Sequence, residues 1–143
     1  MKLTVDIMAL TEKNELVLIK RCKQPYMDKL VLPGGHYEVR DKSLAQAAAR
    51  ELREEVGIKV DPKKLTLLTT LDNPGRDPRP EQRISTVFFI KISARQLKDL
   101  KAGSDAEAVV LKDLGSLNPD QIGFDHFLAI EEIKKLKHGY LPQ

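Results

Sequence analysis

The chain has 143 residues, with 24 Lys and Arg against 21 Asp and Glu, three His, one Cys and no Trp. That length suits one domain with a sizeable core, and a formal charge of +3 is too nearly balanced to demand nucleic acid or an anionic membrane as partner. The lone Cys22 excludes an intramolecular disulfide and an all-Cys metal cluster, and the first apolar run, 3–10, contains Asp6 and falls far short of a membrane span, so a cytoplasmic protein is expected.

In chain order, residues 3–10 and 15–20 are rich in strong β formers and flank the polar turn Thr11-Glu12-Lys13-Asn14, which predicts a hairpin. The apolar step Leu30-Val31-Leu32 runs into Pro33-Gly34-Gly35, where any strand should end. From 43 to 56 the pattern is helical. Ala45, Ala47, Ala48 and Ala49 are strong helix formers, Ser43 suits the N-cap, and Gly57 sits where a glycine releases the chain. Leu44, Ala48 and Leu52 form the stripe to be buried. Strands are predicted at 65–71, 84–92 and 108–111, and the three prolines of 72–80 rule out regular structure there. A last helix is predicted at 125–137. Phe127, Ile130, Ile133 and Leu136 share one side of it, Lys134, Lys135 and Lys137 favour its negative end, and Gly139 and Pro142 stop it. The sum is a mixed sheet with two helices in one α/β domain.

The chemically informative segment is Arg50-Glu51-Leu52-Arg53-Glu54-Glu55-Val56-Gly57-Ile58. Glu51, Glu54 and Glu55 stand at i, i+3 and i+4, so three carboxylates share one helical face at mutual electrostatic cost. A hard divalent cation such as Mg²⁺ reverses that sign, because it takes carboxylate oxygens together with water and phosphate oxygens. A plain solvated face, with Arg50 and Glu54 as an i, i+4 ion pair, is the alternative; Arg53 reads as a surface residue.

These residues carry a resemblance. The segment from Gly35 to Ile58 resembles the Nudix box, Gly-x5-Glu-x7-Arg-Glu-U-x-Glu-Glu-x-Gly-U, where U is a bulky aliphatic residue. Arg50, Glu51, Leu52, Glu54, Glu55, Gly57 and Ile58 match its second half, and Leu32-Pro33-Gly34-Gly35 is typical of the family. The first half departs. Counting back from Arg50 places Lys42 where the family has Glu and His36 where it has Gly; one inserted residue instead keeps Gly35 and substitutes Asp41 for the Glu. The sequence leaves both registers open.

The resemblance implies a Nudix-type α/β/α sandwich, one domain over 1–143 with its box at 35–58, that splits a nucleoside diphosphate linked to another moiety. It implies that Glu51, Glu54 and Glu55 ligate Mg²⁺, with Mn²⁺ able to substitute, that the Gly35 carbonyl adds an oxygen, and that Arg50 holds a glutamate in place. The general base of such enzymes can lie in a later loop. Here Asp105 or Glu107 fits that place, against the alternative of an ordinary polar turn.

Asp77-Pro78-Arg79, Ala102-Gly103-Ser104-Asp105-Ala106 and Phe124-Asp125-His126 are similar to pieces of the compact ADP-ribose pyrophosphatases of that family. This implies ADP-ribose or another nucleoside-diphosphate sugar as substrate, giving AMP, or another nucleoside monophosphate, and a sugar phosphate. Arg76, Arg79 and Arg83 suit a diphosphate or terminal ribose, with Gly34 and His36 as further substrate contacts; solvent-facing charges are the alternative for the arginines. Tyr26 and Tyr37 are placed to stack on a base, whereas Phe88 and Phe89 read as sheet residues and His126 as an interior residue of the last helix. Two other functions stay open: pyrophosphohydrolysis of nucleoside triphosphates, including oxidised guanine nucleotides, and a sensor that binds nucleotide without cleaving it. The expected partner is a small-molecule nucleotide, not nucleic acid or membrane. Small enzymes of the ADP-ribose type are often dimers, so the resemblance admits a homodimer.

Overall fold

The computed structural model describes residues 1–101 and 108–137. Its strands are β1 (Lys2–Thr11), β2 (Glu15–Lys20), β3 (Leu30–Val31), β4 (Gly34–His36), β5 (Thr66–Leu71), β6 (Arg83–Ile92) and β7 (Ala108–Asp113). Its α-helices are α1 (Leu44–Val56), α2 (Ala94–Leu97) and α3 (His126–Lys137). The sheet runs β3-β2-β1-β6-β5, with β4 also beside β1 and β7 also beside β2. β1 and β6 are parallel from Lys2↔Arg83 to Thr11↔Ile92, and the other strand pairs are antiparallel, so the sheet is mixed as expected.

Alternation of side chains along the central strands gives the sheet two apolar faces, each needing a cover. Val5, Ile7 and Ala9 of β1 and Phe88, Ile90 and Ile92 of β6 pack on Ala47, Ala48, Leu52 and Val56 of α1. Met8, Leu10, Val87 and Phe89 face the other way, onto Ala129, Ile130 and Ile133 of α3. The result is the expected sandwich of a sheet between two helices. Asp6 takes the α3 side by the same alternation, a carboxylate in an otherwise apolar row.

α1 begins and ends on the residues its sequence signals. The Ser43 hydroxyl accepts the Gln46 N–H at 3.0 Å, and Gly57, at φ 88°, turns the chain out of the helix. A Cβ at Gly57 would come 2.4 Å from the Asp99 carbonyl oxygen, so both the backbone angle and the space favour glycine. Residues 72–82 form no strand or helix, in keeping with their prolines, and no helix among the described residues is long and apolar enough to cross a membrane.

β3 ends at Val31, before Pro33, as expected, but a further strand that the sequence did not predict begins at once: β4 pairs with the start of β1, with Thr4↔His36, Val5↔Gly35 and Asp6↔Gly34 opposite one another. Proline lacks an N–H but keeps its acceptor, and the Pro33 carbonyl takes the Ile7 N–H at 2.9 Å. Gly34 permits the close approach, because a Cβ there would lie 2.2 Å from the Val5 carbonyl oxygen. β4 thus presses the glycine turn against β1 and directly beside α1, whose Glu51 carboxylate meets Gly35.

Leu52 is fully buried where α1 meets the sheet. Leu52→Ala is expected to lower the unfolding free energy by about 2–5 kcal/mol, whereas the exposed Arg53→Ala stays within about 0.5 kcal/mol; urea unfolding of both measures the difference.

Candidate functional site

The acidic face of α1 is organised by one arginine. The Arg50 Nε and Nη2 donate to the two carboxylate oxygens of Asp41 at 2.6 and 2.9 Å, a bidentate pair. Its Nη2 also donates to the His36 carbonyl at 3.1 Å, and its Nη1 donates to Glu51 at 2.9 Å and Glu54 at 3.2 Å. The hydrogen bond from Arg50 holds the Asp41 carboxyl below its ordinary pKa. The same pair raises the pKa of Arg50, so both stay charged. Between the two registers left open by the sequence, the geometry therefore selects Asp41. It lies in a short 3₁₀ turn, Val39–Asp41, and is buried, whereas Lys42 is exposed at φ 62° and is left out of the cluster.

The three glutamates take different places. Glu51 is buried with its carboxylate against the Gly35 backbone: a Cβ at Gly35 would fall 2.4 Å from its Oε1. Glu54 is exposed and lies near Arg40 at 3.6 Å as well as Arg50. Glu55 lines a cleft of about 200 Å³. Among the described residues no three acid, imidazole or thiol side chains are gathered at metal-binding distance; Arg50 lies between Glu51 and Glu54 instead. The donor set nevertheless fits a hard divalent ion. All its side-chain donors are carboxylate oxygens, and the missing side chain at Gly35 brings the backbone and Glu51 together.

The cleft joins the glycine turn to the proline-rich loop. Gly34, Gly35, His36 and Glu55 line it together with Arg76, Arg79 and Arg83. Arg76 and Arg83 are not solvent-facing charges, whereas Arg79 is exposed but paired. Arg76 forks onto Asp125 at 2.9 and 2.7 Å, and Arg79 forks onto Asp77 at 3.0 and 2.7 Å. Arg83 donates to the Pro80 carbonyl at 2.8 Å and keeps a buried Nε without a hydrogen-bond partner.

Several cleft residues escaped the sequence reading. At the floor, Ser85 bonds to Asp6 Oδ2, and His126 Nε2 stands 3.5 Å from the same oxygen. The Leu32 N–H donates to His126 Nδ1 at 3.0 Å, which leaves the proton of the neutral ring on Nε2, facing Asp6. Burial raises the pKa of Asp6 and lowers that of His126. The visible signal for Asp6 was an isolated carboxylate in an apolar strand. Arg21 and Phe124 also line the cleft, and nothing local in the sequence marks Arg21. Of the two tyrosines expected to stack on a base, Tyr26 packs on Phe124 with ring centroids 4.6 Å apart. Tyr37 packs against the α1-side core, because it follows β4 onto that face. His126 is interior, as expected. Asp105 and Glu107 lie outside the described residues.

A model of the NUDIX domain matches residues 1–136. The ADP-ribose pyrophosphatase of Methanocaldococcus jannaschii is 36% identical over 126 residues, which are 88% of this chain and 69% of that protein. A bifunctional NMN adenylyltransferase/ADP ribose pyrophosphatase from Francisella tularensis, crystallised with AMP and a Mn ion, is 28% identical with a TM-score of 0.77. That match takes in 98% of this chain but 42% of the other, so the chain spans less than half of the bifunctional protein. The NUDIX domain of Shewanella oneidensis NrtR, crystallised with ADP ribose, is 25% identical with a TM-score of 0.74, over 94% of this chain and 86% of that one. NrtR has also been crystallised with a 27mer DNA, in a chain of which this one covers 60%.

The Arg50–Asp41 pair sets a pH dependence. Because the folded-state pKa of Asp41 is depressed, its contribution to stability is complete above the unfolded carboxyl value of about 3.9 and is lost as pH falls through the folded value. Asp41→Asn is expected to be less stable than wild type at pH 7, with the gap closing below about pH 4; urea midpoints from pH 7 to 3 measure it.

Proposed function

The chain belongs to the NUDIX domain family, and we propose that it is a Mg²⁺-dependent hydrolase of the pyrophosphate bond in ADP-ribose or a related nucleoside-diphosphate sugar. The observation that carries this reading is the cleft. It is lined both by Glu55 and the glycine turn and by Arg76, Arg79 and Arg83. A diphosphate suits both sets. Its oxygens accept from guanidinium donors, and its charge is compatible with a carboxylate wall only through a bridging cation.

In this reading Glu51, Glu54, Glu55 and the Gly35 carbonyl hold the metal. Bound there, Mg²⁺ supplies positive charge to the phosphates and lowers the pKa of a coordinated water. The chain's own residues do the positioning. Asp41 fixes Arg50, and Arg50 fixes the orientation of Glu51 and Glu54 through one shared nitrogen. Asp125 and Asp77 hold Arg76 and Arg79 in fixed forks at the cleft, so little side-chain freedom is lost when a ligand enters. The water oxygen bonds to phosphorus, the bridging P–O bond breaks, and ADP-ribose plus water gives AMP plus ribose 5-phosphate.

The expected outcome with ADP-ribose and Mg²⁺ is equimolar AMP and ribose 5-phosphate, identified by chromatography against nucleoside-diphosphate sugars and triphosphates as competing substrates. Glu54→Gln and Glu55→Gln should each lower turnover at least about a hundredfold while far-UV circular dichroism is unchanged, since loss of a ligand charge removes several kcal/mol of stabilisation. Near-wild-type rates in both variants overturn the metal assignment. Release of inorganic pyrophosphate from triphosphates moves the substrate class, and binding without turnover in Mg²⁺ or Mn²⁺ makes the protein a nucleotide sensor.

A further inference from the structure

Arg21 follows directly on β2 and is held tightly by its own loop. Its N–H donates to the Lys29 carbonyl at 2.9 Å, and its carbonyl accepts the Asp28 N–H at 2.8 Å. Its Nε donates to the Pro25 carbonyl at 2.6 Å, and its guanidinium carbon lies 5.2 Å from the centroid of the Phe124 ring. The residue is only 8% exposed and lines the cleft. Its Nη2 is buried without a hydrogen-bond partner, and among the described residues no carboxylate lies within 4.0 Å of it.

That is an unusual state for a guanidinium. Buried charges are ordinarily paired, and an unsatisfied buried donor costs about 1–3 kcal/mol. The neighbouring arginines show the contrast. Arg76 and Arg79 have their charges matched by Asp125 and Asp77, whereas Arg83 has an unpartnered Nε and its nearest carboxylate, Asp77, at 3.9 Å. The cleft therefore holds two guanidiniums that each carry a buried N–H with no hydrogen-bond partner among the described residues. Packing on Phe124 and the hydrogen bond to the Pro25 carbonyl hold the Arg21 guanidinium in place beside the cleft.

We propose that Arg21, with Arg83, is a substrate-binding residue that donates to non-bridging oxygens of the diphosphate. The identity of the anion rests on the nucleotide reading above; the existence of an anion subsite at Arg21 rests on the unmatched guanidinium alone. A residue kept for a ligand differs from one kept for the fold in a measurable way. Replacing an uncompensated buried charge by an apolar side chain of similar length removes the burial cost of that charge, which offsets the lost hydrogen bond to the Pro25 carbonyl.

The test is Arg21→Met, with Arg21→Lys beside it, titrated calorimetrically in EDTA with inorganic pyrophosphate and with adenosine. Pyrophosphate affinity is expected to fall at least tenfold in Arg21→Met and less in Arg21→Lys, while adenosine affinity and the melting midpoint are not lowered. In Mg²⁺, KM for ADP-ribose should rise at least tenfold with kcat within about threefold. Wild-type protein that does not bind pyrophosphate, an Arg21→Met variant that binds it equally well, or a variant whose melting midpoint falls in step with its affinity overturns the proposal. Pyrophosphate binding that depends on Arg21 in a protein that does not hydrolyse ADP-ribose would sink the enzymatic reading and leave this one standing.

Discussion

The site depends on a single guanidinium. Arg50 is inserted among Asp41, Glu51 and Glu54 and also reaches the His36 carbonyl, so one side chain joins α1, the 3₁₀ turn and the end of β4. Three carboxylates on consecutive turns repel one another, and in this structure the repulsion between Glu51 and Glu54 is relieved by a cation the chain carries itself. The arrangement also locks the glycine turn. Asp41 can form its fork only if the loop from 37 to 42 folds back over the helix, and that fold keeps Gly35 against the Glu51 carboxylate. Orientation of the acids and placement of the backbone beneath them are one event.

Around that centre the chain uses arginines in two distinct ways. Arg50, Arg76 and Arg79 are each forked onto a carboxylate, the last two as fixed struts in the wall of the cleft. Arg21 and Arg83 are buried without such a match. Beneath them Asp6 and His126 keep the floor polar but internally satisfied, with Leu32 and Ser85 fixing the hydrogen bonds of both. The cleft lining thus combines a carboxylate from α1, paired arginines from the loop, and two arginines with a buried unpartnered nitrogen beside β2 and β6.

Local grammar made α1 readable. Ser43, the run of alanines, Leu52 and Gly57 act within one helix, and the structure places the cap and the terminating glycine at those residues. The positions of Glu51, Glu54 and Glu55 on α1 were readable for the same reason, but not their different surroundings. The first acid was not, because counting along a chain cannot see that Lys42 adopts a left-handed turn and is looped out while Asp41 points inward. β4 was missed because a proline followed by two glycines looks like a terminator; the partner that makes it a strand, β1, lies some thirty residues earlier. Asp6, Arg21 and Phe124 share that difficulty more severely. Their significance comes from contacts between distant segments, Asp6 with His126 and Arg21 with Phe124, across a separation that no periodicity reports.

The long parallel ladder between β1 and β6 has a consequence for how the molecule is made. Lys2 faces Arg83 and Thr11 faces Ile92, so the central pairing joins segments about eighty residues apart. At about 5–20 residues per second of synthesis, the first strand waits at least several seconds on the ribosome before its principal neighbour emerges. Until then Ile7 and Ala9 have the hairpin with β2, the short β4 and α1 to shelter them, while Met8, on the other face, still lacks α3. Contacts of such range place the domain among slower folders, with the closing of that loop a large entropic step. Asp6, in the middle of this early apolar run, breaks up what would otherwise be an uninterrupted sticky strand, so the acid at the cleft floor also acts as a gatekeeper against association during biogenesis.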